Sequence, residues 1–264
     1  IRAALADGPL KGRHVLITSG PTHEPIDPVR YIANRSSGAQ GTAIAEACLA
    51  LGAAVTFVTG PADAARPQGA RVIEVTTASE MAEAVTRALP ADAAIFAAAV
   101  ADWHVTGDKS SKIKKDGAGL PTLSFAENPD ILAGVSQMSE GRPQLVVGFA
   151  AETDDVAANG VAKRLRKGCD WIVVNDVSPE TGIMGGSENA VTVISDAGAD
   201  VWPRMPKGDV GRRLAGAIVS APLVVRGQAV GALVLERGRE SDSGVAIAAG
   251  LPDELRLVGA AIAP

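Results

Sequence analysis

Val15-Leu-Ile17 is an unbroken apolar run closed off by Gly12 and Gly20, and a strand without polar alternation has to be covered on both faces. That requirement points to a parallel sheet sandwiched between helices. Residues 14–18 form the strand, and Ser19-Gly-Pro-Thr22 turns the chain out of it. After a loop, Ser36-Ser-Gly-Ala-Gln-Gly41 opens a helix. Its apolar positions Ile44, Ala47, Cys48 and Leu51 recur at i, i+3, i+4 and i+7, with a serine as the expected N-cap. A helix N-terminus offers N–H groups without intrahelical partners and a partial positive charge. Glycine and serine there read either as an ordinary cap or as a cradle for phosphate or carboxylate. The stretch 24–37 favours the cradle, being too long and too rich in Arg and Asn for a mere connection.

The same alternation continues down the chain. Residues 53–58 and 71–75 read as strands two and three, and Thr77-Ala-Ser-Glu80 resembles a capping box opening a helix to about Leu89. Residues 94–100 form a fourth strand of small side chains and 145–150 a fifth. A basic helix at 156–167, a sixth strand at 171–175 and a last one at 190–194 complete the series. The expected fold is α/β: a doubly wound, mostly parallel Rossmann-like sheet with helices on both faces. Ligands of such sheets lie beyond the carboxyl ends of the strands, where Gly20, Asp102, Glu152 and Asn175 fall. Between strands four and five, Lys109, Lys112, Lys114 and Lys115 sit in a polar, glycine-punctuated stretch. It reads as a solvated loop or as a basic flap over an anionic substrate. Lys163 and Lys167 are four apart and share a helix face.

With 264 residues, 47% of them hydrophobic, the chain can bury one large domain, expected over 1–219, followed by an atypical tail over 220–264. The tail lacks aromatic residues, and its two apolar runs around Gly227 read as a hairpin. A net charge of −5 argues against wholesale nucleic-acid binding. No run reaches the ~18 apolar residues of a membrane span, and no signal-peptide order is present, so a soluble cytoplasmic protein is expected. The first residue is Ile1, which suggests a piece of a longer protein. Cys48 and Cys169 lack metal or redox spacing, and His14, His23 and His104 are too scattered for a zinc site.

Motif by motif, residues 19–41, Ala98-Ala-Val-Ala-Asp102, Lys112-Ile-Lys-Lys115, Asn128-Pro-Asp-Ile131, Gly148-Phe-Ala-Ala-Glu-Thr153, Asn175-Asp-Val177, Gly185-Gly-Ser-Glu-Asn189 and Trp202-Pro-Arg-Met205 appear in order. Together they resemble phosphopantothenoylcysteine synthetase, the second half of a bacterial bifunctional coenzyme A biosynthesis flavoprotein. The resemblance implies CTP-dependent ligation of cysteine to 4′-phosphopantothenate through an acyl-cytidylate, releasing CMP and pyrophosphate, with a requirement for Mg²⁺. It implies that Gly20, Ser36, Gly38 and Gly41 hold the triphosphate, with Asn175 near the phosphates. Ala98, Asp102, Pro129, Asp130, Ile131, Leu132, Phe149, Lys163 and Lys167 would surround cytidine. Asn34 would handle the acyl intermediate, Lys112 would serve activation from the loop, and Arg30 would steady the neighbourhood of Asn34. A homodimer is implied, as is a phosphopantothenoylcysteine decarboxylase half as partner. No FMN is expected in this chain, and no metal ligands are assigned.

A nicotinamide-dependent reductase on the same fold is the rival enzyme reading. Against it, the first strand is not followed at once by Gly-x-Gly-x-x-Gly, and the second ends Val58-Thr-Gly-Pro61 without an acid for a ribose. A non-catalytic nucleotide-binding module is the third reading.

Overall fold

The computed structural model describes residues 8–107, 110–114, 122–178, 186–220, 224–225 and 228–229. The chain divides into two compact units, 1–215 and 216–264. The elements run β1 (His14–Ser19), β2 (His23–Pro25), β3 (Tyr31–Ala33), α1 (Ala39–Ala50), β4 (Ala54–Thr59), β5 (Arg71–Glu74), α2 (Ala78–Ala88), β6 (Ala93–Phe96), β7 (Trp103–Val105) and β8 (Phe125–Glu127). They continue with α3 (Ile131–Ser136), β9 (Leu145–Glu152), α4 (Val156–Lys167), β10 (Trp171–Asp176), β11 (Glu188–Asn189), β12 (Val191–Ser195), β13 (Gly198–Val201), β14 (Met205–Pro206) and α5 (Lys207–Ser220). In the second unit β15 (Val224–Val225) pairs antiparallel with β16 (Gln228–Ala229), as the hairpin reading around Gly227 anticipates. Among the described residues no helix is long and apolar enough to cross a membrane.

The main sheet has the order β13-β12-β10-β9-β6-β1-β4-β5. Its six strands from β10 to β5 are parallel, and they wind outward in both directions from the β1–β6 pair. Ligand crevices form where winding reverses in this way. β12 and β13 extend the sheet antiparallel, a two-strand edge the sequence reading gave as one strand. Leu16 and Ile17 are fully buried on opposite faces of β1, as their unbroken apolar run requires. Leu16 joins Val58, Met81, Val85, Val146 and Ile172 in one continuous core cluster. α2 starts with the anticipated capping box: Thr77 accepts the Glu80 N–H and Glu80 reaches back to the N-cap backbone. The buried carboxylate of Glu24 adds a third cap, accepting the Ala78 N–H at 2.8 Å.

Three expectations need correction. The N-cap of α1 is Gly38 in the left-handed region (φ 75°), not a serine; Ser36 and Ser37 instead accept the Gly38 and Ala39 amides at 3.3 and 3.4 Å. The loop before α1 contains the β2–β3 hairpin, with His23 stacked on Tyr31 at 3.9 Å between ring centroids. The fourth strand stops at Phe96 rather than running to Val100. Beyond it the small residues allow the chain to leave the sheet. Ala99 donates to Gly20 O at 2.9 Å, Thr22 Oγ1 accepts the Ala101 N–H at 3.0 Å, and Asn34 and Asn128 donate to the carbonyls of Val100 and Ala101.

Candidate active site

That reshaped segment, 97–102, is the partition between two clefts at the carboxyl ends of the parallel strands. One, of about 480 Å³, is lined by Thr18, Phe96, Ala98 and Asp102, the α3 entry 129–132, Phe149, Lys163 and Lys167. The other, of about 580 Å³, is lined by Asn34 and 35–41 from the start of α1, by Asn175 from β10, and by Asn189 and Lys207. Ala98, Val100, Asp102, Phe149 and Lys163 border both.

The sequence-derived groups separate along this partition. Ala98, Asp102, Pro129, Asp130, Ile131, Leu132, Phe149, Lys163 and Lys167 all line the first cleft. Asn34, Ser36, Gly38, Gly41 and Asn175 line the second. Three named residues line neither. Gly20 (φ 71°) is closely packed: a Cβ added there would meet Ala62 Cβ and the Gly60 carbonyl at 3.0 and 3.1 Å. Gly41 also packs tightly, since a Cβ would lie 2.3 Å from Ser19 Oγ.

Arg30 does not contact Asn34. It pairs with Asp27, whose carboxylate also accepts the amides of Val29, Arg30 and Ile113 at 2.8, 2.9 and 3.2 Å. Arg30 Nη2 donates to the Ile113 carbonyl at 3.1 Å, so the pair grips both backbone groups of Ile113. Lys112, the third residue outside the clefts, is exposed on the adjoining position of this anchored loop. Lys109 and Lys115 lie outside the described residues. The Arg30 guanidinium, aided by those backbone amides, holds the Asp27 carboxyl far below the usual carboxylate range.

The cationic wall of the first cleft is preset. Lys167 pairs with Asp130, and Lys163 lies 3.7 Å from Glu152. Asp130 also caps α3 through the Ala133 N–H. Burial pushes its carboxyl up, but the Lys167 bond, the Ala133 amide and the nearby Lys167 and Arg166 charges together hold it below its ordinary value. Asn34 uses one amide hydrogen on Val100 O at 2.9 Å, which leaves the second donor and the carbonyl for a ligand.

Sequence reasoning missed Asp27, Gln40 and Lys207 as participants. Gln40 donates to the Lys207 carbonyl at 3.2 Å and accepts from Asn189 Nδ2 at 3.3 Å, a bridge across 149 and 167 positions that no local pattern signals. Lys207 Nζ donates to Gly186 O at 2.5 Å, and burial lowers its pKa. Among the described residues no group of three or more His, Cys, Asp or Glu could hold a metal by itself.

Residues 10–221 match the family model described as DNA/pantothenate metabolism flavoprotein C-terminal domain. The coenzyme A biosynthesis bifunctional protein CoaBC of Vibrio parahaemolyticus is 45% identical over 196 residues, covering 74% of this chain and 47% of that protein. The protein of that name from Escherichia coli is 42% identical over 215 residues, covering 80% and 52%. This chain thus spans about half the length of the curated relatives it matches. The crystal structure of the C-terminal domain of a CoaBC protein superposes with a TM-score of 0.66 at 34% identity, covering 80% of this chain and 96% of that one.

Proposed function

The chain belongs to the family of DNA/pantothenate metabolism flavoprotein C-terminal domains, and from that premise we propose that it ligates L-cysteine to 4′-phosphopantothenate at the expense of CTP. The observation that carries this reading is the pair of clefts joined at Asp102 and Lys163. A reaction that brings a nucleotide and a second anion together needs two adjoining pockets, with cations and helix N–H groups to offset their repulsion.

In this reading cytidine occupies the first cleft and the phosphates lie against Ser36, Gly38, Gly41 and Asn175. The pantothenate carboxylate attacks the α-phosphorus, releasing pyrophosphate. The cysteine amine then attacks the acyl carbonyl and CMP leaves. Asn34 donates its free amide hydrogen to the oxyanion of the second step, and Lys112 brings mobile charge to the first. Mg²⁺ suits this donor set as an ion carried by the triphosphate, because such sites take one or two carboxylates plus substrate phosphates. Asp102, which borders both clefts, is the carboxylate that would face it. When bound, the ion would neutralise charge on the leaving pyrophosphate. The ligase domain takes residues 1–219. A homodimer and a phosphopantothenoylcysteine decarboxylase half are the partners this reading expects.

The test incubates the chain with 4′-phosphopantothenate, cysteine, Mg²⁺ and each nucleotide in turn, with products weighed by mass spectrometry. The expected outcome is CMP, pyrophosphate and phosphopantothenoylcysteine from CTP. ATP should be rejected, since each base-edge group left unpaired in a buried pocket costs ~1 to 3 kcal/mol. A nucleotide that binds without being consumed would refute the ligase reading, and equal kcat/KM for CTP and ATP would refute cytidine recognition.

A further inference from the structure

Lys207 has no place in the assignments above. It is the first residue of α5, it lines the second cleft and not the first, and its position is fixed by structure rather than by a flexible reach. Its carbonyl is held by Gln40 in the first turn of α1, its N–H by Ser187 O at 3.0 Å, and its ammonium by Gly186 O. The Gln40 bridge therefore draws the N-termini of two helices, of 12 and 14 residues, to one wall of the cleft. Both ends favour an anion. The acid in the first turn of α5, Asp209, is engaged by Arg212.

Lys207 itself makes no ion pair among the described residues, and beyond its bond to Gly186 O its half-buried ammonium has two further donors to offer this cleft. The neighbouring Asn189 belongs to the same wall. It is buried, lines the same cleft, and among the described residues its Oδ1 has no hydrogen-bond partner. Its orientation follows from the bridge: the Lys207 carbonyl needs the Gln40 Nε2, Gln40 Oε1 then faces Asn189 Nδ2, and Asn189 is left presenting an acceptor.

We propose that Lys207 anchors the phosphate monoester of the acyl substrate, at the end of the second cleft away from the nucleotide base. The proposal rests on the ligase reading and deepens it. With cytidine in the first cleft, the nucleotide phosphates against the start of α1 and the reacting carboxylate beside Asn34, the α5 side of the second cleft, at Lys207, is what remains for the acyl substrate's own phosphate. A triphosphate tail carries the same chemistry, so the two sources have to be separated by experiment.

The experiment compares the full chain with Lys207→Ala and Lys207→Arg, measuring KM for CTP, for 4′-phosphopantothenate and for pantothenate without its phosphate. Lys207→Ala should raise the KM for 4′-phosphopantothenate at least tenfold, leave that for CTP within twofold, and abolish the preference for the phosphorylated acid; Lys207→Arg should restore part of it. A variant-free measurement accompanies this: acetylation of Lys207 by acetic anhydride, followed by peptide mass mapping, should be suppressed by 4′-phosphopantothenate and not by pantothenate. An unchanged KM for 4′-phosphopantothenate overturns the proposal. So does a rise confined to CTP, or protection by CTP alone, either of which would give Lys207 to the nucleotide. If the wild-type chain forms no CMP while 4′-phosphopantothenate still protects Lys207, the ligase reading fails and the anchor stands.

Discussion

At the scale of single residues, Asn34 is the clearest test of the chemistry. One amide hydrogen is committed to Val100 O, so the side chain is fixed while its second hydrogen stays free. Asn34→Asp removes that donor and puts negative charge where oxyanion charge develops. An oxyanion donor is typically worth ~3 kcal/mol, roughly 100-fold in rate, and a carboxylate should cost more. Rapid quench should show phosphopantothenoyl cytidylate accumulating on the variant; normal product yield would remove Asn34 from the mechanism. Lys112→Gln should suppress pyrophosphate release and leave the melting temperature unchanged, because the side chain is exposed and contributes little to the core. Asp27 makes a different prediction. Its folded-state pKa is depressed by Arg30, so its stabilisation is fully present above the unfolded carboxylate value near ~3.9 and is lost as pH falls through the folded value. Urea unfolding at pH 5 and pH 3 should therefore show a shallower acid loss in Asp27→Asn than in the wild type. The cleft residues were legible because their motifs are contiguous. The Arg30 contact was not, because its partners Asp27 and Ile113 are 3 and 83 positions away and only the folded loop brings the distant one near.

At the scale of elements, legibility followed the range of the interactions that define each boundary. α2 starts at its capping box and α4 ends at Gly168 because these signals act within a turn of the helix they close. β6 was overextended because apolarity alone cannot distinguish a strand from a segment that leaves the sheet to be held by Thr22, Asn34 and Asn128. Of the antiparallel edge, β12 was read as the last strand, while β13 escaped because it is exposed throughout and has no apolar period. Two substitutions test these elements. Thr77→Ala removes the side-chain half of the capping box and should cost about 1 kcal/mol in chemical denaturation, with nucleotide affinity unchanged, since α2 lines neither cleft. Gly41→Ala should do the reverse of a mild helix-favouring change. Its methyl would sit 2.3 Å from Ser19 Oγ, so α1 must shift away from β1 and carry the cradle with it. A stability gain with unaltered CTP affinity would contradict that close packing.

At the scale of the whole molecule, the distribution of exposed apolar side chains makes the case for association. Val29 and Tyr31 belong to the β2–β3 hairpin and its turn, Trp103 and Phe125 to β7–β8, and all four are more than half exposed. In the β7–β8 register Val105 pairs with Phe125, which places Trp103 and Phe125 on one face as diagonal neighbours. Large apolar side chains grouped on an exposed face mark an interaction surface. The two ribbons also carry the anchored Lys112 loop: β7 and β8 are the strands on either side of it, and Asp27 in the β2–β3 turn holds Ile113. A second copy docking on the ribbons would fix the Lys112 loop, and if that loop serves activation as proposed, assembly would couple to the first half-reaction. The test substitutes Phe125→Glu, which lines neither cleft and places a charge in the face without removing a buried side chain. Light scattering should give a dimer for the wild-type chain and a monomer for the variant. The monomer should bind CTP normally, since Lys163 and Lys167 are untouched, but release pyrophosphate slowly. A wild-type monomer with full turnover would refute the dimer, and a monomeric variant with normal pyrophosphate release would separate assembly from the Lys112 loop.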